Sequence, residues 1–301
     1  MDALLARTWE PEPEPDLVEN EGPAPFEIMR PHAPAAPLIF ASPHSGRIYP
    51  SGMMAASRLD STTIRRSEDV WVDQLIAGAV AFGASVISAR LARVFLDVNR
   101  EAWELDPGMF SDELPAYARA RTARVAAGLG AIARIVAEGE EVYARKLTVA
   151  EAQSRVEAVH HPYHAALSDL IEESLAAHGV AILVDWHSMP SAAACHAAGG
   201  ACDMVLGDRF GGACAPAVSR LVERELNALG YAVARNAPYA GGYTTEHYGR
   251  PARGVHALPI EVNRALYVDE ASLAPTAGFA RLKADLERLF AVLAGTRWSA
   301  I

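Results

Sequence analysis

Cysteine, long apolar runs and basic residues are all scarce in this sequence, and each scarcity argues against a class of protein. The three cysteines, Cys195, Cys202 and Cys214, form no C-x-x-C pair, which favours reduced thiols over a disulfide framework or a cysteine metal site. No stretch reaches about 18 consecutive apolar residues, so we expect no membrane span. Basic residues number 27 against 37 acidic ones, and the net charge of -10 argues against a nucleic-acid-binding protein.

The N-terminal segment differs in composition from the rest of the chain. Residues 1–25 hold many prolines and acidic side chains, a composition that buries little apolar surface and predicts a flexible arm. The segment also lacks a basic stretch followed by an apolar one, so we expect no signal peptide and a cytoplasmic protein. Residues 26–301 are expected to form a single α/β domain.

Short apolar runs alternate with longer helical patterns in this domain. The runs predict strands over 37–42, 84–88, 94–98, 180–184, 203–206, 231–234 and 258–262. The longer patterns predict a helix opened by Ser67 as N-cap, and helices over 118–139, 151–178, 213–229 and 278–293, with a start or kink at Pro162. The alternation predicts an α/β three-layer sandwich, in which helices cover both faces of a mixed, mostly parallel sheet.

Two histidines, His44 and His187, directly follow or end apolar strands, where ligands bind in such sheets. Neutral imidazole is the commonest metal ligand, and zinc accepts two histidines with a carboxylate. Glu68 and Asp69 are both candidates for that carboxylate, because helical spacing does not separate them. The alternatives are hydrogen-bonded structural histidines and an acid that only stabilises a helix N-terminus.

Glu261 lies within an apolar strand, where an unpaired carboxylate is costly. A catalytic role and a buried ion pair with an arginine account for it equally well. The dipeptides Asn99-Arg100 and Asn263-Arg264 repeat one pattern, and arginine binds carboxylates in a bidentate manner. Pairing of these arginines with nearby acids is the structural alternative.

Two further segments carry glycine, tyrosine or histidine in unusual density. The stretch 238–249, which contains Gly242 and Tyr243, predicts a loop whose backbone approaches a ligand, with an ordinary surface loop as the alternative. His160 and His164 have the i, i+4 spacing of a helical metal site, but no acid accompanies them, which favours a structural role.

In their order along the chain, these segments resemble the N-formylglutamate amidohydrolase family. The resemblance covers about residues 35 to 270. It is carried by Pro43-His44-Ser45-Gly46, Ser67-Glu68-Asp69 with Val72-Asp73, Asp97-Val98-Asn99-Arg100, Pro162-Tyr163-His164, Asp185-Trp186-His187-Ser188, Gly241-Gly242-Tyr243 and Pro259-Ile260-Glu261-Val262-Asn263-Arg264. The family is similar to zinc carboxypeptidases and aspartoacylases, so the resemblance implies a sheet like that of zinc carboxypeptidases and phosphorylase/hydrolase-type proteins.

The resemblance also implies roles for individual residues. It implies one zinc ion per chain, held by His44, an acid and His187. Zinc carboxypeptidases carry a glutamate three residues after the first histidine, where this sequence has Arg47. The acid therefore comes from farther along, and the resemblance favours Asp69, with Glu68 second.

Catalysis and substrate binding are assigned by the same resemblance. Glu261 matches the general base. Asn99 and Arg100 match the pair that binds the substrate carboxylate. We also expect Arg264, Gly242, Tyr243 and His256 to bind substrate. His256 precedes Glu261 by five residues on one strand, so the period of two makes burial on the opposite face at least as well supported as an oxyanion role.

The implied activity is hydrolysis of N-formyl-L-glutamate to formate and L-glutamate, as at the end of one histidine-degradation route. Three alternatives stay open: a deacylase for another N-acyl amino acid or small peptide, a non-catalytic metal- or amino-acid-binding protein, and a purely structural α/β protein. The expected partner is a small anionic N-acyl amino acid, with no nucleic acid and no membrane.

Overall fold

The computed structural model describes residues 24–31, 35–136, 139–194 and 202–298. The arm predicted over residues 1–25 falls almost entirely outside these ranges, as does Cys195. Cys202 and Cys214 are buried as thiols. None of the described helices is both long enough and apolar enough to cross a membrane.

A mixed sheet of seven strands forms the middle layer. The strands are β1 (Phe26–Met29), β2 (Leu38–Ser42), β3 (Ser85–Ala89), β4 (Ala181–Met189), β5 (Met204–Leu206), β6 (Val233–Arg235) and β7 (Val255–Asn263). Their spatial order is β1-β3-β2-β4-β7-β5-β6. The central strands β3, β2, β4 and β7 are parallel, β1 runs antiparallel to β3, and β5 runs antiparallel to β7 and parallel to β6.

Helices cover both faces of the sheet. They are α1 (Ser51–Ala56), α2 (Val72–Ile76), α3 (Ala123–Ala126), α4 (Val149–Arg155), α5 (His161–His178), α6 (Ser191–Ala194), α7 (Pro216–Ala228), α8 (Tyr243–Tyr248) and α9 (Gly278–Ala294). Alternate strand residues enter two separate cores: Ile39 and Leu183 pack with α5, whereas Phe40 and Val184 pack with α2, α7 and α9. The predicted three-layer α/β sandwich is therefore confirmed.

The long helical segment over α4 and α5 shows how local sequence sets these elements. Thr148 and Glu151 form a capping box: the Thr148 hydroxyl accepts from Glu151 N at 3.1 Å, and the Glu151 carboxylate accepts from Thr148 N at 2.8 Å. A π-helical turn, Val156–His160, joins α4 to α5, and Pro162 occupies the first turn of α5, where its missing N–H costs nothing. The start or kink expected at Pro162 is confirmed.

The strand predicted over 94–98 is wrong, because this segment forms turns. The Asp97 carboxylate accepts from Asn99 N at 2.8 Å, and Asp97 N donates to Ala131 O at 2.7 Å. Asp and Asn side chains stabilise turns in this way. Because Asp97 N is bonded in this way, it is not available to pair with a neighbouring strand.

The predicted start of one helix and most of another predicted helix are also wrong. Ser67 ends a 3-10 helix, Ile64–Ser67, and its hydroxyl donates to Ile64 O; α2 begins only at Val72. Within the described part of 118–139, only α3 is an α-helix. Gly130 packs so closely on the chain that a Cβ there would lie 2.4 Å from Glu104 O, and Ala131 N donates to that same oxygen at 2.7 Å instead of to a carbonyl of its own helix.

Two of the short elements that the sequence patterns missed are β1 and α8. The edge strand β1 pairs with β3 over four residues and was hidden by its short length. Helix α8 lies inside the segment 238–249 that was predicted to be a loop. Both elements are too short for hydrophobic periodicity to reveal them.

Candidate active site

The candidate site lies at the carboxyl ends of the parallel strands β2, β4 and β7. His44 follows β2, and His187 lies near the end of β4. Glu261 is the registered partner of His187 on β7, so both side chains project from the same face of the sheet. Asp69 lies in the turn before α2. Its backbone N–H donates to His44 O at 2.9 Å, and this bond brings Asp69 next to His44.

Three donor atoms converge in this site. The Nδ1 atoms of His44 and His187 are 3.1 Å apart, and Asp69 Oδ2 lies 3.2 Å from the first and 3.0 Å from the second. All three side chains are buried, and the three residues form the group of potential metal ligands in the described part of the chain. The structure therefore brings together the two histidines and the acid named from the sequence.

Two buried carboxylates fix the orientation of the histidine rings. His44 Nε2 lies 2.7 Å from Asp97 Oδ1, and His187 Nε2 lies 2.9 Å from Asp185 Oδ2. A carboxylate only accepts, so Asp97 and Asp185 favour a proton on the Nε2 atom that faces each of them, and the Nδ1 atoms that face Asp69 would be the ones to bind a metal in place of a proton. Carboxylates in this position orient histidines that bind metals.

The electrostatics of the cluster favour a cation. Burial by itself would raise the pKa of Asp69, but its hydrogen bonds with His187 and His44 hold that pKa well below its usual range. Burial would lower the pKa of His187, yet Asp185 and Asp69 raise it well above the ordinary value. The negative field that favours a proton on His187 also favours a divalent metal ion.

The geometry of the donor set also fits a metal. Zinc binds histidine nitrogen and carboxylate oxygen at about 2.0–2.1 Å, so tetrahedral ligands lie about 3.3 Å apart. The separations of 3.0–3.2 Å among the three donors approach that spacing. Two imidazoles and one carboxylate make up a typical catalytic zinc set.

Glu68 faces away from this cluster. Its carboxylate accepts from the Tyr49 hydroxyl at 2.6 Å and from Arg65 Nε at 3.0 Å. The neighbouring Asp69 instead accepts from the Ser188 hydroxyl at 3.1 Å through its second oxygen. The contacts thus favour Asp69 as the acid of the cluster and give Glu68 a structural ion pair.

Glu261 carries the shifted pKa that a general base needs. Burial raises its pKa to about 7, with His187 opposing the shift and Asp69 adding to it. The structure gives this carboxylate no hydrogen-bond partner among the described residues. Near neutral pH it can therefore both take up and release a proton.

Arg264 lies behind Asp69. Its guanidinium donates to Glu68 O at 2.6 Å, to the Ser188 hydroxyl at 3.0 Å and to Asp69 Oδ1 at 3.4 Å. These contacts orient Asp69 and occupy the guanidinium. They favour a positioning role, and direct substrate binding by Arg264 stays a prediction.

Asn99 and Gly242 meet beside His187. Asn99 Nδ2 donates to Asp185 Oδ2 at 3.1 Å, and Asn99 Oδ1 accepts from Thr244 N at 2.8 Å. A Cβ on Gly242 would lie 2.6 Å from Asn99 Oδ1, so a larger residue there would displace the Asn99 amide. Tyr243 contacts an aromatic cluster rather than the donor atoms: its ring stacks on His247 at 4.9 Å.

Two arginines flank Asp97 on its outer side. Arg93 Nη2 donates to Asp97 Oδ2 at 2.7 Å, and Arg100 Nε lies 3.9 Å from the same oxygen. Arg100 also donates to Leu129 O at 3.0 Å and to Asn99 O at 2.9 Å. Burial would lower the pKa of Arg93, but Asp97, Asp69 and Glu261 raise it, so Arg93 lies in the field of the site.

Sequence reasoning missed Arg93 and the role of Asp97 and Asp185. A signal for Arg93 was present, because a charged side chain inside the apolar run 91–98 needs a partner. Asp185 was also accessible, since it lies two residues before His187 on one strand and must share its face.

The structure does not bring His256 to the site. His256 is paired in register with Ile182, on the sheet face opposite that of Glu261, and its Nδ1 accepts from Ala215 N at 3.1 Å. An oxyanion role for His256 is therefore wrong, because strand residues five apart point to opposite faces.

Comparisons with known proteins agree with this geometry. The chain is 29% identical over 258 residues to N-formylglutamate deformylase of Pseudomonas putida, which covers 81% of this chain and 86% of the relative. It is 30% identical over 238 residues to the protein of the same name from Pseudomonas aeruginosa, covering 78% and 83%.

Two solved structures are similar to this chain. The crystal structure of N-formylglutamate amidohydrolase from Ralstonia eutropha JMP134 superposes with a TM-score of 0.87 at 36% identity, covering 92% of this chain and 100% of that one. A protein of Agrobacterium tumefaciens shares the fold, with a TM-score of 0.66 at 16% identity and coverage of 90% and 94%. The family model for N-formylglutamate amidohydrolase matches residues 36–268, so this chain belongs to the N-formylglutamate amidohydrolase family.

Proposed function

We propose that this protein is a zinc-dependent amidohydrolase that cleaves N-formyl-L-glutamate, or a closely related N-acyl amino acid, into the acid and the free amino acid. The observation that carries the proposal is the buried cluster of His44 Nδ1, Asp69 Oδ2 and His187 Nδ1, adjacent to a glutamate whose pKa is about 7. The names of the two Pseudomonas relatives support the formyl substrate.

His44, Asp69 and His187 would hold one zinc ion through the three converging atoms. When bound, the metal supplies Lewis-acid polarisation of a carbonyl and acidifies water to a pKa of about 7. Asp97 and Asp185 would favour the Nε2–H tautomer of the two imidazoles, which leaves both Nδ1 atoms to bind the metal. Arg264 and Ser188 hold the second oxygen of Asp69.

Glu261 moves the proton. Its carboxylate takes a proton from the water that attacks the formyl carbon, and later returns it to the amine nitrogen as the C–N bond breaks. One C–O bond forms and one C–N bond breaks, which yields formate and L-glutamate. The registered position of Glu261 beside His187 places its carboxylate on the face where the three donors converge.

Arg93 and Arg100 provide positive charge for the substrate carboxylates. The Arg93 side chain is 22% exposed, and its one hydrogen bond in the described structure, to Asp97, leaves Nε and Nη1 available. An arginine presents paired donors to a carboxylate, which suits the two carboxylates of an N-acyl glutamate. This placement supports an anionic substrate in a chain whose net charge is -10.

Hydrolysis of a substrate panel tests the proposal. N-formyl-L-glutamate, N-formyl-L-leucine, N-acetyl-L-glutamate and N-succinyl-L-glutamate would each be incubated with the purified protein, with and without a chelator. We expect release of formate from N-formyl-L-glutamate at the highest kcat/KM, and its loss with chelator. Preference for the acetyl or succinyl substrate would overturn the formyl assignment, and no turnover of any substrate would overturn the hydrolase assignment.

A further inference from the structure

Two histidines of the long helical segment contact the backbone on either side of Asn99. His160 Nε2 lies 2.9 Å from Arg100 O, and His164 Nε2 lies 2.8 Å from Val98 O. The two histidines are one helical turn apart, at the junction between the π-helical turn and α5, so their rings project from the same side. These two contacts fix the turn that contains Val98, Asn99 and Arg100, next to the segment 94–98 where a strand had been predicted.

The chemistry of these contacts fixes the protonation state of His164. A backbone carbonyl only accepts, so Nε2 carries the proton. Nδ1 is left to accept from the Tyr248 hydroxyl at 2.9 Å, which lies 3.1 Å from a second acceptor, His164 O. Burial lowers the pKa of His164 to about 3, and the neighbouring His160 adds to that effect. The ring is therefore neutral at neutral pH, and Nε2 is its donor.

Asn99 is the residue that this arrangement holds in place. Its side chain joins Asp185, the carboxylate that orients His187, to the N-terminal end of α8 at Thr244. The segment around Asn99 forms turns outside the described sheet, so side-chain contacts such as these help to set its position, beside the backbone bond from Asp97 N to Ala131 O. His164 also reaches α8 directly, because its ring stacks on Tyr248 at 5.8 Å.

We propose that His160 and His164 are positioning residues, whose Nε2–H groups hold the Val98 and Arg100 carbonyls and thereby set the place of Asn99 against Asp185 and His187. Neither histidine touches the donor atoms of the site, so they act through Asn99. The catalytic consequence rests on the proposed function, whereas the effect on Asn99 does not.

The first test compares substitutions that keep or remove the donor. His164→Leu and His160→Leu remove it, whereas His164→Gln and His160→Gln place an amide NH₂ near the position of Nε2. His161→Leu is the matched control, because His161 lies on the same helix, is exposed and makes no side-chain hydrogen bond in the described structure. Outer partners of metal sites typically contribute about 10–100-fold.

We expect the Leu variants to lose about 10–100-fold in kcat/KM. The Gln variants should recover at least half of that loss on a logarithmic scale. The control, His161→Leu, should match the wild type. A double-mutant cycle with Asn99→Ala follows. The loss from His164→Leu should largely disappear when Asn99 is already alanine. Equal losses in both backgrounds, or Gln variants no better than Leu, would overturn the proposal.

Nuclear magnetic resonance of the Asn99 carboxamide provides a readout that needs no turnover. In the wild type we expect shifted, slowly exchanging NH₂ resonances, which move toward random-coil positions in His164→Leu and return in His164→Gln. Unchanged Asn99 resonances in a folded His164→Leu variant would overturn the inference. A protein that hydrolyses none of the substrates but shows these shifts would defeat the proposed function and leave the inference standing.

Discussion

Replacing Glu261 by glutamine removes the proposed base while preserving side-chain volume and the three donor atoms. General-base catalysis contributes about 10²–10⁴-fold, which corresponds to about 2.7–5.4 kcal/mol at about 1.36 kcal/mol per tenfold. A pKa of about 7 means that about half of the wild-type protein carries the ionised form at neutral pH, so the contribution of the base is largest above that pH. We therefore expect Glu261→Gln to lose at least a hundredfold in kcat.

The same substitution should not destabilise the protein. Burial raises the pKa of Glu261 from 4.5 to about 7, so folding disfavours the ionised carboxylate. Wild-type stability should therefore decline, through this group, as the pH rises from about 4.5 through about 7. Glutamine carries no charge, so the Tm of Glu261→Gln at pH 8 should equal or exceed that of the wild type.

Three measurements on one preparation of each protein decide the matter: formate release, bound metal and thermal unfolding at pH 8. The account requires a large loss of kcat with unchanged metal content and no loss of Tm. Turnover within threefold of the wild type would refute the role of Glu261. A loss of metal in Glu261→Gln would place this residue among the ligands instead.

The remaining predictions concern the pH dependence, the acid ligand and the substrate charge. Wild-type kcat should rise with pH through about 7, because Glu261 must be ionised to take a proton; a profile flat from pH 5.5 to 8 would contradict this. Asp69→Asn should abolish stoichiometric metal binding, which metal analysis measures. Glu68→Gln should retain the metal but lower the free energy of unfolding by about 1–3 kcal/mol in urea, because Tyr49 and Arg65 lose a charged partner. Arg93→Met should raise KM for N-formyl-L-glutamate by about tenfold or more while Arg93→Lys raises it less, and equal KM values in steady-state kinetics would remove Arg93 from substrate binding.

Much of the sheet was predictable because its strands are short apolar runs with clear limits. The runs that became β2, β3, β4 and β7 placed His44, His187 and Glu261 at or near carboxyl ends, where their convergence follows from parallel topology. The period of two also allowed for His256 on the opposite face. The family resemblance, confirmed by the model match over residues 36–268, assigned roles to these positions.

What the sequence left open depends on turns and on contacts between distant segments. Spacing does not separate Glu68 from Asp69, because neither lies in a regular helix. Their difference arises from the hydrogen bond from Asp69 N to His44 O and from the Arg65 side chain that draws Glu68 away. The run 94–98 matched a strand in composition, but Asp97 stabilises a turn there and contacts His44 instead.

Turnover measured against bound zinc tests the central claim most directly. Protein stripped with a chelator would be reloaded with 0 to 2 equivalents of zinc, roughly in quarter steps, and formate release from N-formyl-L-glutamate recorded at each. If His44, Asp69 and His187 hold one catalytic ion, the rate should rise in proportion to bound metal and level off at about one zinc per chain. Full turnover by the metal-free protein, or a rate indifferent to bound zinc, would contradict the account.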